Sequence, residues 1–498
     1  MRKAILWFSV APVICLGLIG CGGSSKTTPP ASSVPVILTV QDQPPAGITT
    51  LSFGIQITGV SLQSSGGGSD VSLLASPVTV NLSNLQTVSS LLANTSAPAG
   101  TYSGITITFA NPQVSVINNT QATLTDGGTG SCPVSATASC SLAPALSSSS
   151  VMITNSPFPV TLAAGTPIQI ALDFDSADSL VNTAQVLSIN PTVTVTTNTT
   201  PNATTSNLAD FTNATGQVTS ASNNQVVVTD LSTGQPLTLA TTTNTTFTGF
   251  NTSATCTTAN TFGCVQAGQN VNFNFGVSGA AGSGPTLTSL NLNNGITNGV
   301  TGTVISTNPF EVVITSESPA FSGGAAGVSV GQVVVVNPSA GATFSAQTNG
   351  TTLPAGLTFA GVNNVGVGQS VLLDSTGFTA GTGTAPGTVT TDDVTLVPSQ
   401  FGGTINTLNA TNQSFDLNGL NGMFTGNNIP DVTVNTSTTG TTFTGGTTND
   451  FTGLAVGNTV NVGGLLFNSP TEGGAPVLVG GQVGVTGTTA TAAALGSR

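Results

Sequence analysis

Apolar and polar residues alternate along most of this chain. "VPVILTVQD" (34–42), "TLSFGIQITGVSLQ" (50–63), "SPVTVNL" (76–82), "YSGITITFA" (102–110) and "PIQIALDFD" (167–175) place Val, Ile, Leu or Phe at about every second position. Gly, Pro, Asn and Asp bound these runs. A period of two predicts half-buried strands, and Val, Ile and Thr suit a pleated surface. One segment departs from this pattern. In "LSNLQTVSSLLA" (82–93), Leu82, Leu85, Val88, Leu91 and Leu92 approximate a helical stripe and predict a helix. "TTNTTPNATTSN" (196–207) has no hydrophobic period and reads as a linker.

The second half of the chain repeats. Each of three copies opens with a glycine before a short strand: "TGQVTS" from Thr215, "TGTVIS" from Thr301 and "GGTINT" from Gly402. A second strand follows in each: "QVVVTD", "FEVVIT" and "QSFDLN". A phenylalanine among small residues comes next, at Phe247, Phe344 and Phe443. Then a glycine precedes another strand, at Gly268, Gly368 and Gly457, and a last strand closes each unit. An ordered series of this kind marks an internal repeat. Units of five or six short strands suit small closed barrels, because closure removes exposed edges.

The expected fold class is therefore all-β. A β-sandwich-like domain over 34–197 leads through a linker at 198–210 to three barrel repeats at 211–293, 294–398 and 399–487, with a flexible tail at 488–498. Each barrel is expected to hold its own core. Val218, Val227, Phe247 and Val271 should point inward in the first repeat, and Val304, Val313, Phe344 and Val371 in the second. Ile405, Phe415, Phe443 and Val460 should do so in the third.

The N-terminus has a different character. Arg2 and Lys3 precede the apolar run "AILWFSVAPVICLGLIG", and Cys21 follows Gly20. This is the layout of a signal peptide over 1–20. "LIGC" resembles the bacterial lipobox, and the resemblance implies that Cys21 carries the acyl chains of a lipid anchor. An ordinary cleaved signal or a membrane span are the alternatives, although the run is short for a span. Gly22, rather than Asp, follows the cysteine, which on the lipoprotein pattern implies the outer membrane, facing the periplasm or the cell surface. Residues 21–33, rich in Gly, Ser, Thr and Pro, read as a flexible tether.

Charge narrows the chemistry. The chain has four basic residues, seventeen acidic ones and no histidine, for a formal net charge of −13. The basic residues are Arg2, Lys3, Lys26 and Arg498, so the body between the last two has no cation. Nucleic-acid binding rests on Lys and Arg contacts to phosphate, which argues against such a partner. Ser-His-Asp, Cys-His and His-metal arrangements all need an imidazole. Hydrolysis by a carboxylate pair stays open.

Apart from Cys15 and Cys21, the cysteines form two close pairs: Cys132 with Cys140, and Cys256 with Cys264. In an oxidising compartment such pairs read as disulfides. A metal site would need further ligands, and no histidine is present. "LDFDSAD" holds the most suggestive polar cluster. Asp173 and Asp175 share the solvent face of a strand and Asp178 follows in the turn, so the three could hold calcium. The plainer reading is a solvated strand end with a turn bond at Asp178. Tyr102, the sole tyrosine, follows a Pro-x-Gly turn and is expected to lock a β-corner through its hydroxyl.

Two family resemblances rest on these motifs. The opening "LTVQDQPP", "IQITGVSLQ", "VTVNLSNL", "APAGTYSGITI" and "LDFD" make residues 34–197 resemble the bacterial domain of unknown function 4382. The repeats, with a G-x-V opening, a T-x-F centre and a glycine close, resemble the domain of unknown function 5666. Both resemblances imply secreted or lipid-anchored bacterial proteins and carry no activity. The expected role is a non-enzymatic, lipid-anchored envelope protein with an envelope or extracellular partner and no cofactor. A glycan- or calcium-binding module is the alternative, and a carboxylate-based glycan hydrolase a second.

Overall fold

The computed structural model describes residues 33–487, except 44–48, 136–137, 254–255, 293–298, 318–329, 349–352, 382–385, 439 and 471–472. The expected signal, Cys21, nearly all of the tether and the tail lie outside the described residues. The chain is all-β, as the alternation predicts.

Two sheets face each other in the N-terminal part. One is built on Ser33–Gln43, which pairs in parallel with Ile168–Asp175 and antiparallel with Ser90–Pro98. The other is built on two long strands, Thr49–Ser64 and Gly100–Ile117, paired antiparallel. Register shifts at four places along this pair mark bulges, which bend long strands around a core. Leu38, Ile170 and Leu172 from the first sheet meet Phe53, Ile55 and Ile107 from the second in one buried cluster. Phe174 sits at its centre, edge-on to Phe53 and Phe109, with both ring centroids 5.8 Å away.

The three repeats share one topology. In the first repeat the five main strands are Ala209–Ser222, Gln225–Asp230, Pro236–Ala240, Asn270–Val277 and Thr286–Leu292. They pair in the order 1-2-3-5-4-1, with strands 3 and 5 parallel. Gly299–Thr307, Phe310–Glu317, Val333–Ala346, Ser370–Thr379 and Gly387–Val397 form a closed barrel in the same order. So do Ser399–Asn409, Ser414–Asn418, Val432–Asn435, Thr459–Phe467 and Val477–Gly487. This is the strand order of an OB-fold barrel.

The repeated glycines have a physical reason. Gly268, Gly368 and Gly457 all have φ between +88° and +91°, a region that side chains avoid. Each donates its N–H to the first strand of its barrel: Gly268 to the Val218 carbonyl at 2.7 Å, Gly368 to Val304 at 2.9 Å and Gly457 to Ile405 at 2.8 Å. The residue after each glycine returns a side-chain oxygen to the turn. Gln269 accepts the Gln266 N–H at 2.7 Å, Gln369 the Gly366 N–H at 2.7 Å and Asn458 the Ala455 N–H at 2.8 Å. At the opening glycines a Cβ would lie 2.6 Å from the Thr229 carbonyl oxygen (Gly216) or 2.5 Å from that of Val313 (Gly302). The second strand approaches too closely for any larger residue.

Two expectations need correction. Residues 82–93 do not form a helix. A single 3-10 turn covers Leu82–Asn84, and an extended strand begins at Ser90. Their leucines serve two different cores: Leu82, Leu85 and Leu92 enter the sandwich, whereas Leu91 packs on the first barrel. A helix with one apolar face could not reach both. Ser, Asn and Thr are also weaker helix formers than Leu or Ala, and here Asn84 and Ser90 bond across to the barrels, at the Thr315 carbonyl and the Asp230 carboxylate.

The inward list is correct at Val218, Val271, Val304, Val371, Ile405, Phe415 and Val460, all at most 1% exposed. It fails at Val227, which is half-buried between buried Val226 and Val228. Val313 is buried but packs with the third barrel's cluster, while Val312 and Ile314 fill its own. Phe247 and Phe344 are half-buried against their cores, and Phe443 lies at the margin of burial.

Each barrel centres a cluster of its own, as expected, and each cluster also takes in residues from a neighbour. Ile37 and Leu91 of the sandwich belong to the first barrel's cluster. Leu51 and Ile117 join Ile305, Val313 and Val367 of the second barrel in the third barrel's cluster. Leu465 and Phe467 of the third barrel complete that of the second. Phe424, in the short helix Gly422–Gly426, is fully buried where the second and third barrels meet. It lies against Gly368 of the second barrel, and Phe401 of the third is 5.0 Å away between ring centroids. Phe424→Ala should cost about 3–5 kcal/mol. Amide exchange should accelerate in the third barrel and in the 365–369 turn of the second, and stay slow in the first. A loss confined to the third barrel would contradict the shared core.

Candidate functional site

The expected calcium cluster sits where Ile168–Asp175 runs into a short helix, Ser176–Ser179. Asp173 and Asp175 are half-buried on the outer face of the strand, as alternation requires. Asp175 caps the helix by accepting the Asp178 N–H at 2.9 Å. The turn bond thus belongs to the Asp175 carboxylate, with Asp178 as backbone donor. Among the described residues no group of three or more Asp, Glu, Cys or His side chains is placed to hold a metal ion, and these three aspartates form none.

The buried acid of this corner is Asp42, from "TVQDQPP", which the sequence reading passes over. Its carboxylate accepts the Ser176 N–H at 3.2 Å and the Ser176 hydroxyl at 3.0 Å. Burial holds its pKa well above the usual carboxylate range, against the lowering effect of those bonds, and the negative charges of Asp173 and Asp175 add to the rise. The signal for Asp42 was an acid ending a near-continuous apolar run.

Asp230 is the second buried acid, at the contact of the first barrel with the sandwich. It accepts the Ser90 hydroxyl at 2.6 Å and the Ser232 N–H at 2.8 Å, and burial raises its pKa. Exposed carboxylates behave oppositely. Asp126 accepts the N–H groups of Gly128, Gly130 and Ala143, and Asp450 the hydroxyls of Thr448 and Thr452, which lowers both pKa values. Asp416 bridges Thr407 and Thr433 across neighbouring strands at 2.7 and 2.8 Å. Hydroxyls and backbone amides take the place that Lys and Arg occupy in most proteins.

Both cysteine pairs are bonded. The Cα atoms of Cys132 and Cys140 are 5.6 Å apart, and those of Cys256 and Cys264 5.0 Å apart. Each bond joins cysteines 8 residues apart in sequence. The Tyr102 hydroxyl donates to the Pro98 carbonyl at 2.8 Å, closing the corner before its strand.

A cavity of 470 Å³ opens where the sandwich meets the second and third barrels. Hydroxyl, carboxamide and glycine backbone groups line it, together with Phe401 and Met423, and no ionisable side chain among the described residues does. Thr49, Thr50 and Gln86 are among its lining residues, but their side-chain oxygens Thr49 Oγ1, Thr50 Oγ1 and Gln86 Oε1 are buried without a hydrogen-bond partner, packed away from the open space. A second cavity of 520 Å³, where the sandwich meets the first and second barrels, is likewise uncharged. Neither was legible from sequence, because each is assembled from segments hundreds of residues apart.

Residues 33–191 match the family model of a domain of unknown function (DUF4382). The DUF4382 region covers the two facing sheets, the buried Asp42 corner, the first disulfide and Thr49, Thr50 and Gln86 of the cavity. No curated protein matches the chain.

Two measurements follow from this chemistry. A carboxyl with a raised folded-state pKa stabilises the fold most below the ordinary Asp value of about 3.9. That contribution is lost as pH rises through the raised value. Asp230→Asn keeps an acceptor for Ser232 and gains a donor for Ser90. Its melting temperature should exceed wild type at pH 7–8, and the gain should vanish below about pH 4. A lower melting temperature at pH 7 would contradict the burial argument. Alkylation of the unreduced protein should leave Cys132, Cys140, Cys256 and Cys264 unlabelled by mass. Reducing either bond should cost about 2.5 kcal/mol, as expected for short loops.

Proposed function

We propose that this chain is a lipid-anchored protein of the bacterial envelope, held at the outer membrane through Cys21, with a non-enzymatic interaction role. One observation carries the non-enzymatic part: the large cavities are lined by neutral groups, while the acids serve as caps, turn acceptors and strand bridges. A carboxylate-pair hydrolase needs two acids converging on one cleft. Asp42 and Asp230, the two with raised pKa and high burial, instead lie in separate hydroxyl-bonded niches and line neither cavity themselves, although Ser232, which donates to Asp230, lines the second.

The anchor part is supported by "LIGC" at 18–21 and by the Gly/Ser/Thr/Pro run after it. No helix among the described residues is long and apolar enough to cross a membrane. The same strand order three times over, with equivalent glycine turns, supports reading the barrels as copies of a unit resembling the domain of unknown function 5666. Membrane attachment is tested by fractionating cells that express wild type or Cys21→Ala. Wild type should partition with membranes and the variant should be released. Equal solubility of the two would refute the anchor.

A further inference from the structure

We infer that Asp230 works as a proton-operated latch between the first barrel and the sandwich. With its carboxyl neutral the barrel is firmly seated, and loss of the proton loosens the seat while the rest of the molecule stays folded. The inference depends neither on the anchor nor on any ligand.

The seat is a small apolar contact ringed by hydrogen bonds. Ile37 and Leu91 of the sandwich pack into the first barrel's cluster. The Asn81 N–H donates to the Ser232 carbonyl at 3.1 Å, and the Asn94 side chain to the Ser283 carbonyl at 3.2 Å. From the third barrel, the Gln482 side chain donates to the Thr212 hydroxyl at 3.2 Å. None of these contacts changes with pH. The remaining one does: the Ser90 hydroxyl of the sandwich donates at 2.6 Å to the carboxylate of Asp230, which is only 2% exposed. The chain enters the barrel through residues 198–206, all exposed, so the barrel can shift on its seat without unfolding either neighbour.

No neighbouring charge offsets an ionised Asp230. The chain has no cation between Lys26 and Arg498. On the sandwich side, residues 71–125 include Ser90 and hold one ionisable side chain, Tyr102, which is bonded to Pro98 at another corner. Within the first barrel, apart from the bonded cysteines, the one other ionisable group is Asp210. It lies opposite Gly276, whereas Asp230 lies opposite Gly216, six residues further along the same strand. The second barrel reaches this junction through Thr315. The ionisable residues of that strand, Glu311 and Glu317, are acids and cannot neutralise another. Burial without a counter-charge favours the neutral carboxyl, in line with the raised pKa of Asp230. Once the seat loosens, water returns the group towards the ordinary Asp value of about 3.9. Docking is therefore firmest below about pH 4. It weakens by up to about tenfold per pH unit above that, and levels off past the raised value.

The test is amide hydrogen exchange of the full chain at steps from about pH 4 to pH 8, with each rate corrected for its intrinsic pH dependence. Protection of residues 88–94 and 228–235 should fall as pH rises, by up to about tenfold per unit, while the third barrel keeps its protection. Asp230→Asn is neutral at every pH and should hold the high protection throughout. Ser90→Ala keeps the acid and removes its partner on the sandwich, so it should lower protection at every pH and retain the slope. Asp42→Asn removes the other buried acid and should also retain the slope. The inference is overturned if wild-type protection at the seat does not change with pH, or if Asp230→Asn keeps the slope. It also fails if Asp42→Asn abolishes the slope, or if the third barrel loses protection in step with the seat. The last result would mean that the whole molecule unfolds rather than that one barrel loosens.

Discussion

The arrangement of the whole molecule depends on one short, irregular segment, Asn81–Asn94, because all three barrels bond to it. The Asn81 N–H donates to the Ser232 carbonyl of the first barrel at 3.1 Å, and its Nδ2 to the Thr315 carbonyl of the second at 2.5 Å. Gln400 and Asn461 of the third barrel bond the backbone of Asn84, Gln86 and Thr87. Ser90 meets Asp230, and Asn94 donates to the Ser283 carbonyl, both in the first barrel. A neutral hydrogen bond contributes about 1 kcal/mol net, and leaving a buried partner unpaired costs about 1–3 kcal/mol. The larger number makes the junction specific. A barrel docked in a different register would strand several buried carboxamides and carbonyls at once. A regular helix, by contrast, would have used these backbone groups internally and left few for neighbours.

The near absence of cations shapes how this is done. Most domains use Lys and Arg to neutralise partly buried acids, and here the body has neither. Its acids are therefore either exposed and wrapped in amide and hydroxyl donors, as at Asp126 and Asp450, or buried against serine, as at Asp42 and Asp230. The first group favours the ionised form and the second the neutral form. Threonine is the main substitute donor. Its branched carbon suits a strand and its hydroxyl reaches across to a neighbour, as in the Thr407–Asp416–Thr433 bridge. A surface built this way carries hydrogen-bonding capacity without strong local fields of positive charge.

How legible this was in sequence depended on the range of the interaction. The turn glycines at 268, 368 and 457 were readable because most of their demand is local: a positive φ and one carboxamide returned within three residues, although the glycine N–H itself reaches back to the first strand. The cysteine pairs, eight residues apart, were readable for the same reason. Strand parity failed where it had no contrast. "QVVVTD" offers three valines in a row, so nothing marks Val226 and Val228 rather than Val227 as inward. In "FEVVIT" both faces are apolar because both are buried, Val312 and Ile314 in their own barrel and Val313 in the next. The leucines of 82–93 imitated a helical stripe because two cores on opposite sides drew on one extended segment. Asp42 and the central cavity depend on contacts across more than a hundred residues, as Asp42–Ser176 and Thr87–Gln400 do. No local pattern reports these.

The cavity follows from the same junction. Three barrels of one topology, docked on a sandwich through a narrow polar segment, pack closely only where their apolar faces coincide, as around Leu51, Val313 and Phe424. Beside those patches curved barrel walls diverge and leave space, with Leu51 and Phe401 at its margin, and that space inherits the character of the surfaces around it. In a charge-poor chain rich in Thr, Asn and Gly it is uncharged and dense in hydrogen-bonding groups. Small residues also keep the walls rigid, since Gly403 faces the Asn418 carbonyl 3.0 Å from where a Cβ would stand. A wall of short side chains loses little conformational entropy when a ligand binds. The same economy of side chains that lets the barrels close thus leaves a neutral space with short walls at their junction.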